Sequence, residues 1–363
     1  MPPTAAQLSS PTFLSTALLL GALGCGARVH PGRPEPNIAQ VSVGTEFACV
    51  RLSTGRVRCF GNNTHGTLGD GTTEHRTRPV DVLGLASVTS LSSSATHSCA
   101  VSRGAVFCWG GLRLDAPSQP TPAPVANISN AVEVATLFDG ACARLANGAV
   151  RCWGDNSAGQ LGDGTRERRE GPVDVVGIPP ATRVFSSPWR AACIVAVDAS
   201  VWCWGSYGNN STLRPERIRN LSSAREVSAS PHAFCANTGR DIRCWGQFAS
   251  AAPSFDAIVV VDRPDAIAIA VVNGRFGNQG LCARWVDPAL ECWSVDSLGR
   301  IGDASVNRAF PDPEELAMGA WTYCSVTHGG GSLYCSGPAV VELLGGDAGA
   351  ADSNSVRRID GIL

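Results

Sequence analysis

The chain has 363 residues, 44% of them hydrophobic, with 40 glycines and 23 prolines; this gives ample apolar mass for a core but punctuates it into short elements and turns, not long helices. Its formal net charge is −2, which leaves no basic footprint for nucleic acid, where binding draws on counterion release. Every cation is an arginine, and the lack of lysine excludes both the phosphate lysine of a Walker loop and Schiff-base chemistry.

Phe13 to Gly24 (FLSTALLLGALG) form an apolar run of twelve residues, too short to span a bilayer and of the length of a signal-peptide h-region. The run ends in Ala22-Leu23-Gly24-Cys25, which resembles a bacterial lipobox. That resemblance implies lipidation of Cys25 as the mature N-terminus and, with Gly26 next to it, sorting to the outer membrane or cell surface of a bacterium. Residues 1–24 are therefore read as a lipoprotein-like signal peptide and residues 25–38 as the anchor cysteine and a Pro/Gly/Arg-rich tether. A plain secretory leader and a soluble secreted protein are the alternative.

From residue 39 to 363 the cysteines set the pattern. Fourteen of fifteen fall into seven pairs: Cys49/Cys59, Cys99/Cys108, Cys142/Cys152, Cys193/Cys203, Cys235/Cys244, Cys282/Cys292 and Cys324/Cys335. Separations within a pair are 9 to 11 residues, and successive pairs recur every 42 to 51, a period that signals a repeat architecture. The third copy shows the unit best: Val132-Glu133-Val134, then Cys142-Ala143-Arg144-Leu145, Ala146-Asn147-Gly148, and Ala149-Val150-Arg151-Cys152-Trp153-Gly154. Asn-Gly between two β-rich runs is a strong hairpin signal. Elsewhere the midpoint of each pair also falls on or beside turn residues: Thr54 beside Gly55, Arg103/Gly104, Asp198, Gly239/Arg240, Asp287 beside Pro288, and Gly329/Gly330. A symmetric hairpin brings the two cysteines of each pair opposite one another, about 4.5 to 5.5 Å apart at Cα and within disulfide reach. Seven bridges of this kind require an oxidising compartment. No CxxC occurs, and a spacing of about ten across a hairpin is not zinc-ligand spacing.

The Cys-Trp-Gly element stands at Cys108, Cys152, Cys203 and Cys244, softened to Cys59-Phe60-Gly61, Cys292-Trp293-Ser294 and Cys335-Ser336-Gly337. A longer tail, Asn-x-x-Gly-Gln-Leu-Gly-Asp-Gly-Thr, is full after the third copy (Asp155 to Thr165), nearly so after the first (Asn62 to Thr72) and degraded after the sixth (Asp296 to Asp303). These segments resemble the repeat of the regulator of chromosome condensation family, in a secreted, disulfide-bearing form. The resemblance implies an all-β fold: a seven-bladed β-propeller of four-stranded antiparallel blades, one disulfide-bridged hairpin per blade. The terminal Val356 to Ile362 echoes Pro79 to Leu85 of the first copy, so the last blade is expected to complete its own fourth strand there.

In such a blade of strands A to D, the A–B turns and C–D loops share one face, and length varies most after Cys-Trp-Gly, in the C–D loops. Binding residues concentrate on variable loops of a rigid scaffold. The candidate partner-binding residues are Asn62, Asn63, His65 and Arg76 from blade one, with Asp155, Asn156, Arg166, Arg168 and Arg169 from blade three. Set against this, Thr67-Leu68-Gly69 and Gln160-Leu161-Gly162 tuck against the neighbouring blade and the arginines solvate the rim. Leu68-Gly69-Asp70-Gly71 and Leu161-Gly162-Asp163-Gly164 each supply one carboxylate, whereas calcium takes six to eight oxygens, so tight Asp-Gly turns are expected. No metal and no cofactor is expected.

The six histidines (His30, His65, His75, His97, His232 and His328) share no repeat position, and neither Gly-x-Ser-x-Gly nor a phosphate loop is present. His97, two residues before Cys99, is expected to be a packed or capping residue, not a base. The Cys-Trp tryptophans alternate in face with the cysteines and are expected to pack between blades. The reading that follows is a monomeric, non-catalytic protein-interaction scaffold outside the cytoplasm, touching the membrane through its N-terminal lipid alone. It would bind a protein, not a nucleic acid, through its loop face. The alternative is a carbohydrate-binding or enzymatic propeller that uses the central channel.

Overall fold

A computed structural model describes residues 36–363 except 113–116, 188, 208–209, 231–232, 247–253, 274–278, 286–289, 296–301, 303–304, 308–312, 319–322 and 337–356. The leader, Cys25 and most of the degraded tail after the sixth copy lie outside the described residues. Blade one comprises β1 (Ile38–Val43), β2 (Phe47–Leu52), β3 (Val57–Gly61) and β4 (Arg76–Asp81); blade two β5 (Val88–Ser93), β6 (His97–Ser102), β7 (Ala105–Gly110) and β8 (Gln119–Pro124). Blade three holds β9 (Ala131–Leu137), β10 (Gly140–Leu145), β11 (Val150–Gly154) and β12 (Arg169–Asp174), and blade four β13 (Ala181–Ser186), β14 (Arg190–Ala196), β15 (Val201–Tyr207) and β16 (Asn210–Arg217). Then come blade five, β17 (Glu226–Ala229), β18 (Ala233–Asn237), β19 (Ile242–Gly246) and β20 (Ser254–Val261), and blade six, β21 (Ala268–Asn273), β22 (Gln279–Arg284), β23 (Leu290–Val295) and β24 (Ser305–Asn307). Blade seven is β25 (Pro313–Met318), β26 (Tyr323–Thr327), β27 (Leu333–Ser336) and β28 (Arg357–Ile359). Each blade is a separate four-stranded sheet of consecutive strands, so the seven-bladed propeller expected from the repeats is the fold.

The cysteine register is as the hairpins demand. In every blade the two cysteines are directly paired on strands B and C, and each pair is bridged, with Cα atoms 4.0–4.1 Å apart. Alternation along a strand sends successive side chains to opposite faces. The cysteines of blade one therefore join the seam with blade two, beside Leu91, Ala100 and Trp109, while Ala48 and Val50 face blade seven. The same division repeats at the following seams. The core is thus a series of inter-blade seams, each with a disulfide on one side.

The glycine of Cys-Trp-Gly has a conformational cause. Gly61, Gly110 and Gly154 have φ of 116°, 101° and 106°, a region L side chains avoid. A Cβ there would also meet the carbonyl oxygen of Glu46, Thr96 or Asp139 at 2.6, 2.6 and 2.3 Å.

The innermost strands A are sheet edges with unpaired main-chain groups facing the axis, a situation that proteins must resolve. Here blades one, two, three and five lend side-chain acceptors to the blade that follows. The N–H of Leu91 donates to Gln40 Oε1 (3.1 Å), that of Val134 to Ser90 Oγ (3.2 Å), that of Val184 to Glu133 Oε2 (2.9 Å) and that of Ile269 to Glu226 Oε2 (3.2 Å). Two residues further along, Ser92 and Ser228 accept from Thr136 and Val271 in the same way.

The ring closes without strand exchange. β28 completes the sheet of blade seven, and Ile359 and Ile362 pack with Ile38, Val41 and Phe60 of blade one. Arg58 Nη1 of blade one donates to the carbonyls of Gly361, Ile362 and Leu363 at 3.0, 3.1 and 3.2 Å.

Candidate functional site

The A–B turns and C–D loops lie together. The N–H of Asn62 donates to Glu46 O (2.9 Å), that of Gly111 to Thr96 O (2.8 Å) and that of Asp155 to Asp139 O (2.8 Å). On the other face, the links between blades meet the B–C hairpins, as where the N–H of Val88 donates to Gly55 O and that of Ala181 to Gly148 O.

The C–D loops of blades one and three are two castings of one structure, built around a buried asparagine. Asn63 and Asn156 are fully buried. Their amides donate to an aspartate (Asp70 at 3.2 Å, Asp163 at 3.1 Å) and to a threonine carbonyl (Thr72 at 3.0 Å, Thr165 at 3.1 Å). Their Oδ1 atoms accept from the N–H of Leu68 (2.9 Å) and Leu161 (3.0 Å). The same aspartates accept the threonine hydroxyl at 2.7 Å and the Nε of Arg76 or Arg169 at 2.9 Å. Burial alone pushes the carboxyls of Asp70 and Asp163 up, but donation from the threonines and arginines outweighs it and holds both below the usual range. With both oxygens so engaged, neither aspartate is a calcium ligand set, and among the described residues no group of three or more His, Cys, Asp or Glu is placed to hold a metal.

These loops clasp the following blade. Leu68 and Leu161 are fully buried in the seams with Trp109 and Trp204. The two indoles donate to the loop carbonyls of Thr67 and Gln160, each at 2.9 Å. Gly71 and Gly164 then donate to Pro120 O (3.0 Å) and Leu213 O (2.9 Å) on strand D of the next blade. Blade four has no such tail; Tyr207 occupies the seam instead, edge-on to Phe234, which stacks on Trp245.

The nine candidate residues thus gather into two loops on different blades. Asn63, Asn156, Arg76 and Arg169 build the loops themselves. Asn62 donates to Glu46 Oε2 (2.8 Å) and accepts from the N–H of Thr64. His65 stands over Gly111 of blade two. Asp155 accepts from Ser157 (2.8 Å) and Gln160 (2.7 Å); burial raises its pKa, and these donors with Arg190 bring it net below the ordinary value. Arg166 donates to Ser157 O (2.6 Å) from an exposed position, and Arg168 pairs with Asp139 (3.0 Å) and Glu170 (3.2 Å).

Next to the blade-three loop stands a residue that sequence reasoning passed over. Trp189, on the A–B turn of blade four, is 50% exposed, and its carbonyl accepts the N–H of Phe138 on the A–B turn of blade three (2.7 Å). Arg190 follows it, 3.9 Å from Asp155. The available signal was a Trp-Arg pair where the A–B turns of blades one and two carry Gly44-Thr45-Glu46 and Ser94-Ala95-Thr96 and that of blade three carries Phe138-Asp139.

His97 is buried, as expected of a packed residue. Its Nε2–H donates to Gly140 O of blade three (3.1 Å), which leaves Nδ1 to accept from the Ser94 hydroxyl (2.8 Å). Burial depresses its pKa to about 4, with the Gly140 carbonyl opposing. The central channel is a cavity of about 290 Å³ lined by strands A. Several of its hydroxyls bond around the ring, Ser92 with Thr136 (2.9 Å) and Ser186 to Thr136 O (2.6 Å).

The geometry defines a class: a disulfide-stapled seven-bladed propeller whose C–D loops clasp neighbouring blades. Family models of the regulator of chromosome condensation (RCC1) repeat match residues 54–101 and, in a second form, 38–67 and 138–160, so those segments carry that repeat. It is similar to the ultraviolet-B receptor UVR8 of Arabidopsis thaliana, 28% identical over 213 residues, covering 53% of this chain and 48% of that protein. It thus spans about half the length of that curated relative. Among solved structures it resembles human WBSCR16 (TM-score 0.61, 16% identity, 79% of this chain and 85% of that one). Prp20p of Saccharomyces cerevisiae (0.53, 17%, 89% and 76%) and the ectodomain of the Physcomitrella patens receptor kinase CR4 (0.53, 17%, 83% and 73%) are similar too. At these identities the likeness is one of fold.

Proposed function

We propose that this propeller is a non-catalytic protein-interaction scaffold that works outside the cytoplasm, anchored through lipid on Cys25, and engages a protein partner as a monomer through its loop face at blades three and four. The observation that carries this reading is Trp189. A half-exposed tryptophan, held by a main-chain hydrogen bond between two A–B turns and bordered by Arg190, Arg168 and Asp155, has the composition of an interface anchor, where Trp and Arg predominate. Partly exposed arginine–carboxylate pairs around it suit a rim that sets orientation more than affinity. The seven buried disulfides support an oxidising, extracytoplasmic setting. Prp20p, a relative in fold, is described with binding to Gsp1p and histones, which illustrates a protein-binding propeller without naming this chain's partner.

The test is a photo-crosslinking residue placed at position 189 or at position 197, where exposed Val197 lies in a B–C hairpin on the opposite face. In the envelope of the native host, a discrete adduct is expected from position 189 and none from 197, and Trp189→Ala protein should not compete for it. Equal labelling from both positions, or labelling from 197 alone, overturns the assignment. A glycan that stabilises the protein and leaves the 189 adduct unaffected would favour the channel instead.

A further inference from the structure

Among the described residues, the seam between blades two and three lacks the cover that its neighbours have. Between strands C and D, blades one and three carry residues 62–75 and 155–168, and blade two carries only 111–118. At the covered seams an indole donates to a loop carbonyl and a leucine from the same loop fills the space beside it. Trp153 is the counterpart of Trp109 and Trp204, one residue after the strand-C cysteine. It is only partly buried, and among the described residues no acceptor lies within hydrogen-bond distance of its indole nitrogen. A groove of about 270 Å³ lies over it, lined on the blade-two side by Leu112, Pro124 and Val125 and on the blade-three side by Trp153, Arg168 and Gly171. The groove runs directly into the apolar cluster that joins the two blades.

The molecule therefore shows twice what this position accepts. We propose that the groove docks an extended peptide segment of the partner, which places a leucine-sized side chain against Trp153 and offers a main-chain carbonyl to its indole N–H, in the manner of Thr67-Leu68-Gly69 and Gln160-Leu161-Gly162. This rests on the reading of the chain as a protein-binding propeller and adds the recognition element. The chemistry favours such an occupant over a sugar, because the floor is indole, proline and valine, and a desolvated leucine with one directed hydrogen bond gains there what a hydroxylated ligand would lose.

The test uses the full protein with ¹⁵N-labelled tryptophan and, as probe, a synthetic peptide of residues 155–169 of this chain. The Trp153 indole resonance is identified by its loss in Trp153→Phe. It is expected to move saturably on titration, with affinity at least tenfold weaker for the peptide carrying Leu161→Ala. Gly171→Leu narrows the groove at a position where an added Cβ meets nothing within 4 Å. This variant should fold normally and also bind at least tenfold more weakly. An unmoved Trp153 resonance overturns the proposal, as do shifts confined to Trp109 and Trp204, which would mean displacement of the native clasps. So does binding that emerges only when 113–116 is replaced by glycine and serine, which would make the chain's own connection the occupant. The titration needs no native partner. Peptide binding without an adduct at position 189 would retain the groove and discard the loop face, and the converse result would do the opposite.

Discussion

If the C–D loops of blades one and three are clasps, truncating the buried leucine of either must loosen a seam as deeply as a core deletion would. Leu161 is fully buried, packed with Val175, Ile194 and Trp204. Leu161→Ala removes three carbons, worth about 2.4 kcal/mol of transfer free energy at ~0.8 kcal/mol each, and leaves a cavity whose added cost brings the usual range to about 2–5 kcal/mol. A surface loop can settle partly into that space, so the expectation is about 3 kcal/mol. Guanidinium chloride unfolding at pH 7 without reductant reads it directly, and Leu68→Ala should match within roughly 1 kcal/mol. Leu112, half-buried at the seam without a clasp, serves as the control, with less than about 1 kcal/mol expected on change to Ala. Coupling to Trp204 can be isolated by a double-mutant cycle with Trp204→Phe, where about 0.5 kcal/mol or more is expected. A cost for Leu161→Ala no larger than for Leu112→Ala would refute the clasp and make the loop an appendage.

Two further perturbations follow from the same contacts. Because folding lowers the His97 pKa from 6.5 to about 4, the stability tied to its neutral form is complete above pH 6.5. It is lost as the pH falls towards 4, by at most roughly 3 kcal/mol at 1.36 kcal/mol per pH unit. His97→Gln should flatten the pH 7 to pH 4.5 difference in unfolding free energy, and an unchanged difference would assign the acid sensitivity elsewhere. Glu133 bonds Arg144 (3.0 Å), Arg183 (2.8 Å) and the N–H of Val184 at the channel. Glu133→Ala should cost about 1–3 kcal/mol by leaving that N–H unmatched, and Glu133→Gln, which keeps an acceptor, less than half as much; equal costs would show that charge and not the main-chain contact matters.

How much of this was legible in the sequence depended on range. The hairpins, their register and the pairing of all fourteen cysteines are local: turn residues at the midpoint of a ten-residue span fix which side chains oppose, and the structure keeps that register in every blade. The ring of acceptors at the channel left a trace, since Gln40, Ser90, Glu133 and Glu226 each stand nine residues before the first cysteine of their pair. Its meaning is invisible without the neighbouring blade. The site was harder. Asn63 and Asn156 were nominated for a partner because they are polar and on loops, yet they are fully buried and hold the loop together; a loop also needs an interior. Trp189 stands outside the Cys-Trp-Gly pattern, on an A–B turn whose composition changes from blade to blade, so the repeat itself did not single it out.

The placement of the disulfides explains why the loops are free to diverge. Each bridge lies within one blade and lines the seam with the next, so it constrains a hairpin of about eleven residues, worth roughly 2–3 kcal/mol in the chain-entropy model, and does not tie blade to blade. Among the described residues, cohesion between blades is left to the seam clusters, the main-chain acceptors around the channel and, at two seams, the clasps. Two outcomes are seen among the described residues where a clasp is absent. Between blades four and five Tyr207 and Phe234 fill the seam from within, and between blades two and three the tryptophan stays partly uncovered. A seam can lose its clasp without losing the fold because the bridged hairpin and the inner acceptors remain: Ser90 still receives the N–H of Val134, and Ser92 that of Thr136, across the very seam that is open. The open seam is therefore a position where the architecture tolerates an unfilled surface.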